Sequence, residues 1–105
     1  MKQEYYKLIR DHIPEIIEKQ GKRCITRMMK ADEYLEMVDA KLDEELAEYH
    51  KDQNLEELAD LLEVIFAAAA ARGYTREELE KIRAEKEAER GSFHKRLLLL
   101  EVSDS

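Results

Sequence analysis

The sequence predicts an all-α fold, a helical bundle in a single domain over residues 1–105. Three observations predict it. Ala, Glu, Lys and Leu dominate, Gly occurs three times and Pro once, a composition rich in helix formers and poor in breakers. Leu35, Val38, Leu42, Leu46 and Tyr49 recur at helical spacing. Start and stop residues bracket successive segments, with Asn54 and Gly73 around one and Thr75 and Gly91 around the next.

Taken in order, Asp11 is placed to cap a short helix whose first turn tolerates Pro14 and which runs to about Lys19, before Gly21. Lys22 to Met29 carries Cys, Ile and Thr in rough alternation and predicts a short strand. A long helix follows over about residues 32–51. Asn54 is the expected N-cap of the next helix, with Glu57 as the N3 partner of a capping box; it runs to Arg72 and stops at Gly73. Its second half, LLEVIFAAAAA, is apolar nearly all round and is expected to be the most buried element. Thr75 and Glu78 form a second capping box, opening a polar helix that ends near Gly91. Residues 93–102, with four consecutive leucines, predict either a strand paired with residues 22–29 or an extension packed on a partner chain.

Charge and hydropathy exclude several functions. The net charge is −7, which argues against nucleic acid, whose phosphates require a basic face, and against an anionic membrane surface. The longest apolar run, Val64 to Ala71, is too short to span a bilayer. The opening MKQEYYKLIRDH lacks the apolar stretch of a secretion signal, and the lone Cys24 fits a reducing cytoplasm. A chain this short buries a limited core, so self-association is expected to complete it.

The acidic residues carry the chemistry. At 100° per residue, Glu45 falls inside the edge of the arc that holds Leu35, Val38, Leu42, Leu46 and Tyr49. Glu48 shares its flank, whereas Glu44 points to solvent. On the next helix Glu57 and Asp60 share a face with Leu61 and Val64. An antiparallel hairpin across residues 51–54 brings Glu45, Glu48, Glu57 and Asp60 together. Half-buried carboxylates repel one another and lose hydration, so a cation among them is favoured. All-oxygen ligands suit Mg2+, with Mn2+ as a substitute. From spacing alone a salt-bridged bundle surface stands beside the metal site. Acids are abundant in this chain, Lys41 sits one turn before Glu45, and Glu57 has a capping role of its own.

EELAE at 44–48 followed by ELAD at 57–60 resembles the EExxE…ExxD signature of the all-α nucleoside triphosphate pyrophosphatases, the MazG-like superfamily. YYKLIRDHIPEII at 5–17 resembles the YNKLVRDKIPEII opening of its small stand-alone, phosphoribosyl-ATP pyrophosphohydrolase-like members. KEAERGSFHKRLLL at 86–99 resembles their closing K-x-x-x-R-G-x-F-x-x-R segment. Tyr6 and His12 depart from the Asn and Lys common at those positions.

The resemblance implies a four-helix, MazG-like core completed in a homodimer or homotetramer, with the site near a subunit interface. It implies cleavage of a nucleoside triphosphate between its α and β phosphates, giving a monophosphate and pyrophosphate, in nucleotide-pool sanitation. Glu45, Glu48, Glu57 and Asp60 map to its metal ligands, with Glu45 and Glu48 as the catalytic pair. Lys7, Arg10, Lys86, Arg90 and Arg96 are the expected phosphate-binding cations. The runners-up are phosphoribosyl-ATP hydrolysis in histidine biosynthesis and, outside enzymes, a structural helical-bundle oligomer.

Overall fold

The computed structural model describes residues 2–104 and holds four helices: α1 (Ile13–Lys19), α2 (Ala31–Asp52), α3 (Leu55–Ala71) and α4 (Arg76–Arg90). The fold is all-α, and no strand forms among the described residues.

A two-residue turn sets the central hairpin. Gln53 closes α2 in the left-handed region (φ 51°), and its N–H donates to the Tyr49 carbonyl at 2.7 Å. Asn54 is extended and accepts from the Glu57 N–H at 2.9 Å, which starts α3. The reciprocal half of a capping box is not made there, because the Glu57 carboxylate turns towards other acids. Far along the hairpin, Arg72 meets Asp39 at 3.3 Å, so α2 and α3 run antiparallel. Thr75 and Glu78 do form a complete capping box, which starts α4.

The hairpin is one-sided. Val38 is the only buried hydrophobic residue among those described, at 0% exposure, while Leu46, Leu58, Leu62 and Ile65 remain half-exposed. The radius of gyration is 18.8 Å and the long axis 68 Å, against about 13 Å expected for a compact chain of this length. Most of LLEVIFAAAAA is half-buried within one chain, but no residue of α3 is fully buried. Within one chain α3 packs broadly on α2 and meets α4 near its start, where Arg76 lies 3.8 Å over the Phe66 ring and 3.5 Å from Glu63, and the helices do not by themselves close a four-helix core.

Two local expectations are corrected. Asp11 is not the cap of α1. His12 holds that position without a side-chain bond, because the helix begins at Ile13 and Asp11 lies one residue too early. The β-pair of residues 22–29 with 93–102 is absent. Ile25 and Phe93 are each 98% exposed and Leu97 to Leu100 stand uncovered, so neither segment lies on the other. A strand needs a partner backbone and a face to bury, and within one chain these two supply neither.

The N-terminal arm folds back on the hairpin through two polar ties. Arg27 forks onto Glu33 at 2.7 and 2.8 Å, and the Tyr6 hydroxyl donates to the same carboxylate at 3.0 Å. Arg10 reaches Asp60 on α3 at 2.7 Å. Between the arm, α1, residues 24–29 and the start of α2 lies a cleft of about 700 Å3.

Candidate metal centre

The turn at Gln53–Asn54 sets the register of the site. It places the last three turns of α2 opposite the first two of α3, so acids at i, i+3 and i, i+4 on the two helices face one another. Carboxylate oxygens of Glu45, Glu57 and Asp60 lie within 4.8 Å of one another, and all three residues are half-buried. Glu48, Asp52 and Glu57 form a second cluster at the same spacing, nearer the turn and more exposed. Glu57 belongs to both. The four acids expected from the sequence are thus brought to one face, as two triads hinged on Glu57.

Asp52 is the residue that sequence reading missed. Its signal was present, one helical turn after Glu48, but it sits at the helix end, where an acid has an ordinary solvated role. Only the sharpness of the two-residue turn carries it back towards Glu57.

The electrostatics follow from this crowding. Burial pushes the Glu57 carboxyl above the usual carboxylate range, and the negative charges of Asp52, Asp60, Glu48 and Glu45 push it further in the same direction. Two cations partly offset the cluster. Lys41 lies 3.5 Å from Glu45 and 3.3 Å from Glu44, and Arg10 holds Asp60. Glu45 is more enclosed than Asp60, its side chain 13% exposed against 44%. Glu57 has no cation partner among the described contacts.

The donor set fits a hard divalent cation. Ligands of Mg2+ sit at about 2.0–2.1 Å, so two oxygens on opposite sides of one ion are about 4.2 Å apart. Three oxygens on one octahedral ion include at least two neighbouring pairs about 2.9 Å apart, so oxygens that lie within 4.8 Å of one another have to draw closer together to share it. Among the described residues no sulfur or imidazole accompanies them; Cys24 lies in the N-terminal cleft, its thiol 4.0 Å from the Pro14 carbonyl.

The expected phosphate-binding cations are placed unevenly. Arg10 touches the cluster directly. Lys7 lies 5.7 Å from the centre of the Tyr5 ring, on the rim of the cleft. Lys86 is exposed on α4, and Arg90 and Arg96 flank a concavity of about 500 Å3 at the turn that follows it. No described hydrogen bond or ion pair links these last three to the acids of their own chain.

No protein-family profile matches the chain, and no solved structure matches it. An uncharacterised protein of Mycolicibacterium smegmatis is 51% identical over 41 residues, which is 39% of this chain and 42% of that protein.

Proposed function

We propose that the protein is a Mg2+-dependent nucleoside triphosphate pyrophosphohydrolase that releases a nucleoside monophosphate and pyrophosphate, serving nucleotide-pool sanitation in the cytoplasm. The observation that carries this reading is the convergence of Glu45, Glu57 and Asp60 within 4.8 Å, with Glu48 in the adjoining triad. These are the positions that the EExxE…ExxD resemblance assigns to metal ligands. A divalent cation bound there, Mg2+ or Mn2+, supplies positive charge to the phosphates and acidifies a water.

The chain's own groups do the rest. Glu45, Glu57 and Asp60 hold the cation from both helices of the hairpin. Glu48, exposed and hydrated beside Glu57, is positioned to accept a proton from the attacking water, with Glu45 supporting the same step. Arg10 exchanges Asp60 for a phosphate oxygen, its planar fork matching two oxygens at once. Lys7 lies on the same arm. Lys86, Arg90 and Arg96 reach the phosphates from a second copy, in a homodimer or homotetramer that also covers the open face of the hairpin.

A pyrophosphate-release assay tests this. Ribo-, deoxyribo- and modified triphosphates and phosphoribosyl-ATP are offered with Mg2+ or with EDTA, beside a Glu45→Gln control. Metal-dependent release of pyrophosphate and monophosphate, lost in the control, is the expected result; phosphoribosyl-ATP as best substrate moves the assignment to histidine biosynthesis. The uncovered apolar face favours the rival, a purely structural oligomer. That rival predicts no turnover of any substrate and a more stable protein when Asp60 becomes Asn.

A further inference from the structure

Two segments outside the helices are left without a strand partner and their chemistry is complementary, although Lys95 lies in a turn and Arg96 at φ 57° at the start of the second. Residues 22–29 form one wall of the N-terminal cleft, with Cys24 lining it and Ile25 and Met28 almost wholly exposed. Residues 95–102 leave α4 with Leu97 to Leu100 and Val102 about four-fifths exposed. Among the described residues, no backbone hydrogen bond is made between either segment and any other extended stretch, and a solvent-facing edge of this kind invites a second chain.

Each segment is eight residues, about 26 Å when extended. The four leucines and Val102 offer roughly 100 Å2 each of apolar surface, on the order of 500 Å2 in all. That is more than half of the roughly 800 Å2 per partner of a stable interface. Charge fixes the direction. The segment 95–102 has one acid, Glu101, near its end, whereas residues 22–29 begin with Lys22 and Arg23 and hold no acid. Arg27 is already committed to Glu33. Glu101 therefore belongs opposite Arg23, which runs the two segments antiparallel and sets Leu100 opposite Cys24.

We propose that residues 95–102 of one copy add as an antiparallel strand to residues 22–29 of a second copy, filling its N-terminal cleft with leucine side chains. The pairing stands independently of the hydrolase reading above.

Cys24 is the sole cysteine, which makes the test specific. The full chain carrying Leu100→Cys is oxidised mildly with diamide and run on a non-reducing gel, with the linked peptides identified by mass spectrometry. A disulfide between Cys24 of one chain and the thiol introduced at position 100 of another is expected. Leu97→Cys gives none, because three residues shift the pair by about 10 Å, beyond the Cα separation a disulfide spans. Glu101→Arg weakens the link at least several-fold, and adding Arg23→Glu restores it. The proposal is overturned if Leu100→Cys yields no link, a link within one chain, or a link that survives Cys24→Ser. A Glu101→Arg variant that links as well as its parent overturns it too.

Discussion

Replacing Glu57 with Gln isolates the electrostatic cost of the acidic cluster. In the folded chain this carboxyl is held above its ordinary value by burial and by Asp52, Asp60, Glu48 and Glu45, in that order. A group whose folded pKa is raised adds stability below its unfolded pKa and loses it as pH rises through the folded one. The wild type is therefore expected to lose ground against Glu57→Gln as pH climbs from about 4 to 7, since glutamine never ionises. The difference between the two melting curves is the quantity to follow, because Glu33 and Glu80 shift the opposite way in both proteins. Cation binding must expel the Glu57 proton. Affinity for Mn2+ or Mg2+ should then rise about tenfold per pH unit below the Glu57 pKa and flatten above it, the slope of one released proton. Calorimetric titration between about pH 4.5 and 7.5 reads that slope. Glu57→Gln should bind at least tenfold more weakly at neutral pH and lose the slope. A wild-type affinity that does not change with pH, or a Glu57→Gln variant that binds as well as its parent, would refute the assignment of Glu57 as the shared ligand.

Three further outcomes are expected. Val38→Ala removes two carbons from the one fully enclosed side chain among the described residues and should cost about 1.5–3 kcal/mol; a melting temperature within about 2 °C of the parent would show that the site collapses around the smaller residue. Arg10→Ala breaks a 2.7 Å but half-exposed pair, so stability should change by less than about 1 kcal/mol, while KM for a triphosphate rises about tenfold; unchanged kinetics would remove Arg10 from the phosphate site. The Arg27 fork and the Tyr6 hydroxyl pull the Glu33 carboxyl down to about 2, so its contribution is present above about pH 4.5 and lost as pH falls towards 2. Arg27→Ala should abolish that acid-side loss in thermal melts, and an unaltered acid limb would show that the arm is held by its apolar contacts alone.

What was legible in the sequence was whatever neighbours in the chain decide. Asn54, Thr75 and Glu78 cap where their side chains predict, because a cap is a bond across three residues. Glu45 and Glu48 fall on the α3 side of α2 because helical phase follows from position alone. The pairing across the hairpin was legible once a two-residue turn was assumed. Burial was not. The apolar run of α3 is half-exposed because α2 covers only one side of it among the described residues, and no property of Leu62 or Ile65 states whether the covering surface is in the same molecule. Residues 93–102 failed as an internal strand for the same reason. Asp52 was overlooked because its closeness to Glu57 depends on the left-handed Gln53, and glutamine is not a residue that signals that conformation.

The shortness of the Gln53–Asn54 connection has a kinetic consequence. Glu48 and Glu57 are nine residues apart, and Glu45 and Asp60 fifteen, so these contacts are among the most local the tertiary structure contains. Loops of that size close in about 10–100 ns, well before distant segments meet. The like charges therefore meet during the first zippering of α2 against α3 and oppose it at that moment, while the nascent hairpin has little apolar contact to set against them. Screening salt or a divalent cation lowers that barrier, so the ions in solution set how fast this chain finds its hairpin as well as how firmly it keeps it.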